Sequence, residues 1–327
     1  MFSKFGCRKF LTFLALILTS GSAFSLSTLD LSLPYSCPTE DTEGTAYLSH
    51  YVSASSDNKC SASVIQNLIF RLGRGGTLIV DRICRLDQGL VLPSRFNLKG
   101  LGMEVGGVLA FTYDGAGLSG CPDSPHGYIT ISDLVLSGPN PSGKRVVAPK
   151  AIGINLFNQH IVYINNVRIQ DFVTGIIGKQ SYSVYISGSN ISNNRGDNIR
   201  IGYDANSWRI RDSIISQADG WGINVYGPGD ERPLGTINGS NDLLLDGLRM
   251  ESNKSGAVRF NSYGSRIENS RLEANGVDKY GRAILVDTHA EQTRILTNYF
   301  SGNCIQDDGL ETRRSFNIPS LFDREEC

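Results

Sequence analysis

A phrase of apolar residues returns six times between Ile164 and Asn303, and it restricts the chain to a very small set of folds. Each copy begins with an aliphatic residue: Ile164, Ile186, Ile210, Leu245, Ile267 and Ile295. Five positions later a second bulky apolar residue follows, namely Ile169, Ile191, Ile215, Met250, Leu272 and Phe300. Three positions beyond that stand Asn194, Asn253, Asn275 and Asn303 in four of the copies. Successive starts are 22, 24, 35, 22 and 28 residues apart. A repeat near 22 with insertions is the signature of a β-solenoid, whose coils bury their apolar edges only against neighbouring coils. A propeller blade would need about 40–45 residues per repeat. Within each copy the apolar period is 2, as in Asn198-Ile199-Arg200-Ile201, so the elements are strands. A second strand closes each coil at Ile176-Ile177, Ile199 and Ile201, Ile223 and Val225, Val258 and Phe260, and Ile284 and Val286. Glycine and asparagine between the strands suit turns with positive φ. Asparagine stacked at one turn position predicts a structural hydrogen-bonded ladder.

The first 25 residues read as a segment outside the fold. Lys4, Arg8 and Lys9 precede an apolar run from Leu11 to Leu18, followed by small residues and Ala23-Phe24-Ser25, the order of a secretory signal peptide. The run is too short to span a bilayer, and no later segment offers about 20 apolar residues. The expected location is therefore secreted or periplasmic. Removing this segment takes away three positive charges and shifts the formal net charge from −1 to −4, a balance that excludes typical nucleic-acid binders. Residues 26–327 are expected to form one domain, with an extension over 26–60, coils over 61–303 and a tail over 304–327. The remaining Cys37, Cys60, Cys84, Cys121, Cys304 and Cys327 suggest disulfides, of which the sequentially nearest pairing, 37–60, 84–121 and 304–327, is one of about 15 connectivities. No clustered Cys/His spacing predicts a metal, and no motif predicts a cofactor.

Residues 61–111 carry an independent signal. Ser61 or Ser63 can cap a helix with the apolar face Val64, Ile65, Leu68, Ile69 and Leu72, ended by Gly75-Gly76. Such a helix would cover the open end of a solenoid and its unpaired strand edges. The order Ser63-Val64-Ile65-Gln66-Asn67-Leu68-Ile69, Gly75-Gly76-Thr77-Leu78-Ile79-Val80, Leu92-Pro93-Ser94 and Leu98-Lys99-Gly100-Leu101-Gly102 resembles the N-terminal region of pectate-lyase-like right-handed parallel β-helix proteins. That superfamily includes polygalacturonases, phage tailspikes and exopolysaccharide lyases. The resemblance implies an all-β right-handed parallel β-helix with an N-terminal capping helix, a polysaccharide partner in a groove along one face, and homotrimers among its assemblies. It does not select an activity, because fold does not settle function.

Insertions relative to a 22-residue coil fall at 226–241 and 276–281, and 137–150 reads as a loop from its Pro, Gly and Lys content. Asp197 and Asp219 are 22 residues apart, which would place them on neighbouring rungs about 4.8 Å apart. Two carboxylates that close would push one pKa up and supply the acid/base pair of a glycosidase. Both also sit in Gly-Asp-Asn and Asp-Gly sequences, which cap turns. Glu251 and Glu273, each two residues after Arg249 and Arg271, predict an outward salt ladder. A lyase would instead need a base and a cation, for which Lys279-Tyr280 with Arg282, or Arg232 with Tyr226, are candidates. The candidate substrate-binding residues are thus Arg232 and Lys279 for anionic sugar, Trp221 for stacking, and Tyr226. The expected function is cleavage of an acidic polysaccharide by hydrolysis or β-elimination. The alternatives are a non-catalytic glycan-binding adhesin and a periplasmic polysaccharide epimerase.

Overall fold

The computed structural model describes residues 37–52, 57–103, 106–122, 127–226, 240–276 and 281–319. The segment read as a signal peptide lies outside them. The chain winds through three parallel sheets, called here I, II and III. One coil runs from His160–Asn165 in sheet I to Arg168–Gln170 in sheet II and Thr174–Gly178 in sheet III, then returns to sheet I at Tyr182–Ser187. The repeated apolar positions stack in register: Ile164, Ile186, Ile210, Leu245, Ile267 and Ile295 in sheet I, and Ile169 through Phe300 in sheet II. Sheet III stacks Ile176, Ile199, Ile223, Val258 and Ile284. These columns are buried and form one continuous core, which is the only way a 22-residue unit can shield its apolar edge.

Left-handed residues turn the corners, one at each of the first two and, in several coils, two between sheets III and I (Asn158 and Ile161, Gln180 and Ser183, Asp204 and Ser207). Asn166, Gly188, Asp212, Gly247, Asn269 and Thr297 turn from sheet I to II, and Asp171, Asn193, Gln217, Ser252, Ala274 and Gly302 from II to III. Ile161, Ser183, Ser207, Asp242, Gly264 and Gln292 do so on entering sheet I, all with φ between 47° and 68°. Glycine and asparagine hold fewer of these positions than expected. A left-handed residue with a Cβ costs about 1–2 kcal/mol, and the parallel hydrogen bonds on either side of each corner offset it.

The asparagine ladder is present and longer than the repeat predicts. Asn253 Nδ2 donates to Asn275 Oδ1 (2.8 Å), and Asn275 Nδ2 to Asn303 Oδ1 (3.4 Å). The third copy has Ala218 where asparagine would stand, and Asn198 spans that gap: it accepts from Asn194 Nδ2 (2.8 Å) and donates to Asn253 Oδ1 (3.2 Å).

The helix forms over Ala62–Leu72 with Ser61 as its cap. Ile65, Leu68 and Ile69 are buried as predicted, whereas Val64 is exposed and Gln66 is buried. Gln66 explains how the end is closed. Its Oε1 accepts from the Val91 N–H (2.7 Å) and its Nε2 donates to the Val91 carbonyl (2.9 Å), so one side-chain amide pairs with the edge strand of sheet III. Two boundaries differ from expectation. Thr45–Tyr47, in the predicted extension, is the edge strand of sheet I. Beyond residue 303, Cys304–Asp307, Arg313–Ser315 and Ile318–Pro319 form a further coil, because Ile305 can stack on Ile284. There Arg314 falls in register with Ile295 and pairs with Asp307 (2.8 Å), replacing the apolar inward residue with an ion pair.

The disulfides also correct the nearest-neighbour pairing: Cys60 joins Cys84, and Cys37 joins Cys121. Lys59 bridges to Arg85, which brings Cys60 against Cys84 with Cα atoms 5.2 Å apart; position in the coil, not sequence order, selects the partner. Cys304 is disulfide-bonded, and Cys327 lies outside the described residues.

Candidate functional site: the outer face of sheet III

The topology gathers all three insertions around sheet III. Segments 137–150 and 276–281 each run from a sheet II strand into a sheet III strand, at its leading edge, and 226–241 leaves its trailing edge after Trp221–Val225. The first is closed by Asn140, whose Oδ1 accepts the N–H groups of Val147 (2.8 Å) and Ala148 (2.9 Å). The Arg195 Nη2 donates to the Lys144 carbonyl (3.2 Å), tying this loop to the leading edge.

Asp197 and Asp219 do not meet as expected. The coil from Ile186 to Ile210 is 24 residues long, and the register of sheet III follows it: Ile199 opposes Ile223, and the Gly220 N–H donates to the Gly196 carbonyl. Asp197 therefore faces Trp221. It is 5% exposed and its carboxylate accepts three bonds, from the Trp221 N–H (2.8 Å), Asn224 Nδ2 (2.9 Å) and Arg200 Nε (3.0 Å). Asp219 lies at the corner, between Arg195 of the coil before (3.2 Å) and Lys254 of the coil after (2.6 Å). One aspartate organises a strand and the other clamps a corner.

What Asp197 organises is the outward surface. Arg200, held at its Nε, lies with its guanidinium carbon 4.8 Å from the centre of the Tyr226 ring. Asn224 is turned so that its Nδ2 meets Asp197, and its buried Oδ1 has no hydrogen-bond partner among the described residues. Trp221 is half-buried, and its ring covers Gly256 on the next rung. A Cβ there would come within 2.2 Å of Trp221 Cζ3, so glycine is required for the ring to lie along the sheet. Arg282 stands 5.8 Å from the Trp221 ring and donates to Gln306 Oε1 (2.8 Å). Toward the trailing edge Arg259 pairs with Asp287 (2.6 Å). Burial pushes the Asp287 carboxyl up, but the Arg259 guanidinium and the Thr288 N–H outweigh it and hold the group below its ordinary value. Of the sequence candidates, sheet III thus brings together Asp197, Trp221 and Tyr226. Arg232 and Lys279 lie outside the described residues.

Sequence reasoning missed a second set of groups at the corner following sheet III, one coil before 226–241. The His160 and Tyr182 rings stand edge to face at 4.7 Å. Burial, reinforced by a hydrogen bond to the Asp204 carboxylate and its charge, pushes the Tyr182 phenol up to about 12, so it is a protonated donor at neutral pH. His160, Tyr182 and Asp204 are spaced 22 residues apart, one coil each, so the repeat length was the signal that could have found them. The predicted Arg/Glu columns on sheet II are confirmed as surface pairs: Arg249–Glu251 (2.9 Å) and Arg271–Glu273 (2.6 Å). No cluster of three or more metal-ligating side chains occurs among the described residues, nor does a helix long and apolar enough to cross a membrane.

Three parallel sheets, a capped N-terminal end and a polar, arginine-bearing outer face on sheet III define a parallel β-helix protein. Residues 151–318 match the family model of the right handed beta helix region, and the chain belongs to that family. Among solved structures it is similar to DFA-IIIase from Arthrobacter chlorophenolicus A6 in complex with GF2, at 12% identity over 82% of this chain and 72% of that one, with a TM-score of 0.58. It is also similar to the A-module of the Azotobacter vinelandii mannuronan C-5 epimerase AlgE4 (13% identity, 86% and 99% coverage, TM-score 0.49). An alginate lyase from Paenibacillus sp. str. FPU-7 gives 15% identity, 81% and 95% coverage and a TM-score of 0.49. At these identities the likeness is one of fold. No curated protein shows significant sequence similarity to the chain.

Proposed function

We propose that this is an exported protein that binds an acidic polysaccharide along sheet III and cleaves it, by β-elimination in preference to hydrolysis. The observation that carries the reading is the arrangement around Asp197. A buried carboxylate holds Arg200 over Tyr226 and accepts the N–H of Trp221, whose half-buried ring lies on the same face. A guanidinium and an aromatic face are the groups that recognise, respectively, a sugar carboxylate and a pyranose ring. Hydrolysis requires an acid and a second carboxylate across the scissile bond, whereas Asp197 is engaged by the Trp221 N–H, Asn224 and Arg200, and Asp219 by Arg195 and Lys254. β-Elimination requires a cation on the uronate, a base and a proton donor; Arg200 suits the first role, and His160 and Tyr182 suit the others. Arg232 and Lys279 would add cations from the flanking insertions. The disulfides accord with an oxidising, extracytoplasmic compartment.

Incubation with a panel of polyuronates and neutral glycans tests this. Formation of an ultraviolet-absorbing unsaturated product from a polyuronate, reduced at least tenfold in Arg200→Gln, is expected. New reducing ends without that absorbance would mean hydrolysis, and equal turnover by Arg200→Gln would remove Arg200 from the site. The second reading is a glycan-binding protein without turnover, which the structural engagement of Asp197 by Trp221, Asn224 and Arg200 and of Asp219 by Arg195 and Lys254 favours. Binding with no product from any polyuronate would establish it.

A further inference from the structure

Sheet I carries two phenols whose alignment the solenoid itself imposes. Tyr163 and Tyr185 lie on neighbouring rungs and oppose each other in register. Their rings are stacked, with centroids 5.0 Å apart and planes 12° apart, close to the rung spacing of about 4.8 Å. The backbone holds them there. His160–Asn165 and Tyr182–Ser187 run side by side, Val162, Val184, Ile164 and Ile186 flank the tyrosines and are buried, and Ser187 Oγ donates to Asn165 Oδ1 (2.7 Å). A slip of either strand by one residue would turn its tyrosine into the core, so each ring keeps the other as its neighbour. Thr130 precedes the pair in its column and Arg209 follows it, which limits the stack to these rings. Tyr163 is 37% and Tyr185 38% exposed, so an oxidant can reach both from solvent. The described cysteines are all disulfide-bonded, so none of them diverts that oxidant as a thiolate.

We propose that Tyr163 and Tyr185 are a site of oxidative cross-linking, joined ring to ring by a carbon–carbon bond when a haem peroxidase consumes hydrogen peroxide. One-electron oxidation takes an electron and the O–H proton from each phenol, leaving phenoxyl radicals with spin on the carbons ortho to oxygen. The two radicals combine at an ortho Cε of each ring. Each ring becomes aromatic again as its ortho hydrogen leaves the carbon and a proton returns to the oxygen. The pair thus loses two hydrogens, as two protons and two electrons, and these reduce one hydrogen peroxide to two waters. Pre-alignment makes the coupling intramolecular, because each radical forms beside its partner. Rotation about the Cα–Cβ and Cβ–Cγ bonds of two half-exposed side chains closes the remaining gap. The bond would tie adjacent coils on the outside of sheet I, as Cys37–Cys121 and Cys60–Cys84 tie the chain before them.

Treatment of the folded protein with a haem peroxidase and hydrogen peroxide tests the proposal, read by dityrosine fluorescence and peptide mass mapping of the gel-purified monomer. The monomer should yield a fluorescent cross-linked species that contains both Tyr163 and Tyr185 and lacks two hydrogens. Tyr163→Phe and Tyr185→Phe keep the ring and its packing but remove the oxidisable hydroxyl, and each should lower that fluorescence about tenfold or more. Tyr299→Phe, which removes a phenol from sheet II, should leave it unchanged. Unfolding in denaturant before oxidation should abolish the preference for this pair, since the alignment belongs to the fold. The proposal is overturned if the monomer forms no dityrosine, if dityrosine joins only separate chains, or if the mapped bond links other tyrosines. It is equally overturned if both phenylalanine variants on sheet I fluoresce as wild type does, if Tyr299→Phe lowers the signal as much, or if the unfolded chain forms the same bond as readily.

Discussion

At the scale of single residues, the polar interior of this solenoid works by continuity. The amides of Asn194, Asn198, Asn253, Asn275 and Asn303 form one chain of hydrogen bonds through buried space. Four of them also accept a backbone N–H, as Asn253 Oδ1 does from Ala218 (3.1 Å), while Asn198 donates to the Ser216 carbonyl (2.9 Å). Truncation orphans buried groups on two coils, so Asn253→Ala should lower unfolding free energy by about 2 kcal/mol in a denaturant titration. Asp197→Asn should likewise be destabilising, because it removes the charge that holds Arg200, whereas Asp219→Asn, at a partly exposed corner, should cost under about 1 kcal/mol. The four ladder asparagines were legible from their spacing. Asn198 was not, since it substitutes for a missing asparagine from a different position in its own coil. The aspartates misled for a related reason: their separation equals the commonest coil length, but the coil they span has two further residues, and that offset places Asp197 against Trp221.

At the scale of elements, the ends and corners carry information that apolar periodicity lacks. The helix was legible from its apolar face, but the group that closes the solenoid is Gln66, a polar residue on a buried face. Gln66→Ala should cost about 2 kcal/mol, because Val91 would lose partners for both its N–H and its carbonyl; thermal melts would show it as a lowered midpoint. Ile161 makes the opposite case. A β-branched residue at φ 55° is strained, so Ile161→Asn, a residue that tolerates this conformation, should raise stability by about 1 kcal/mol. The three columns of left-handed residues could not be read from composition, since the corner geometry is imposed by sheet stacking on residues as varied as Ala274, Thr297 and Gln217. The cysteine pairing failed for the same reason: coil position decides which thiols meet.

At the scale of the whole molecule, three sheets give three different outer faces. Sheet II carries Arg/Glu pairs, sheet I arginines of which Arg209, Arg211 and Arg266 are ion-paired, and sheet III the Arg200 cluster. The repeat made the scaffold legible and marked where the insertions leave it. It did not show which face they frame, because that depends on which corner each insertion interrupts. One pH dependence belongs to this scale, since the Arg259–Asp287 pair ties a sheet III strand to the trailing edge. The Asp287 carboxyl has a lowered folded-state pKa, so its contribution is complete above the ordinary carboxylate range and is lost as pH falls through the lowered value. Denaturation at acid pH should therefore be less steep in Asp287→Asn than in wild type. The most direct test of a glycan site on sheet III is a crystal structure with a bound oligouronate. The expected result is a sugar carboxylate on Arg200 and a ring against Trp221. An oligouronate bound with sheet III empty would contradict it.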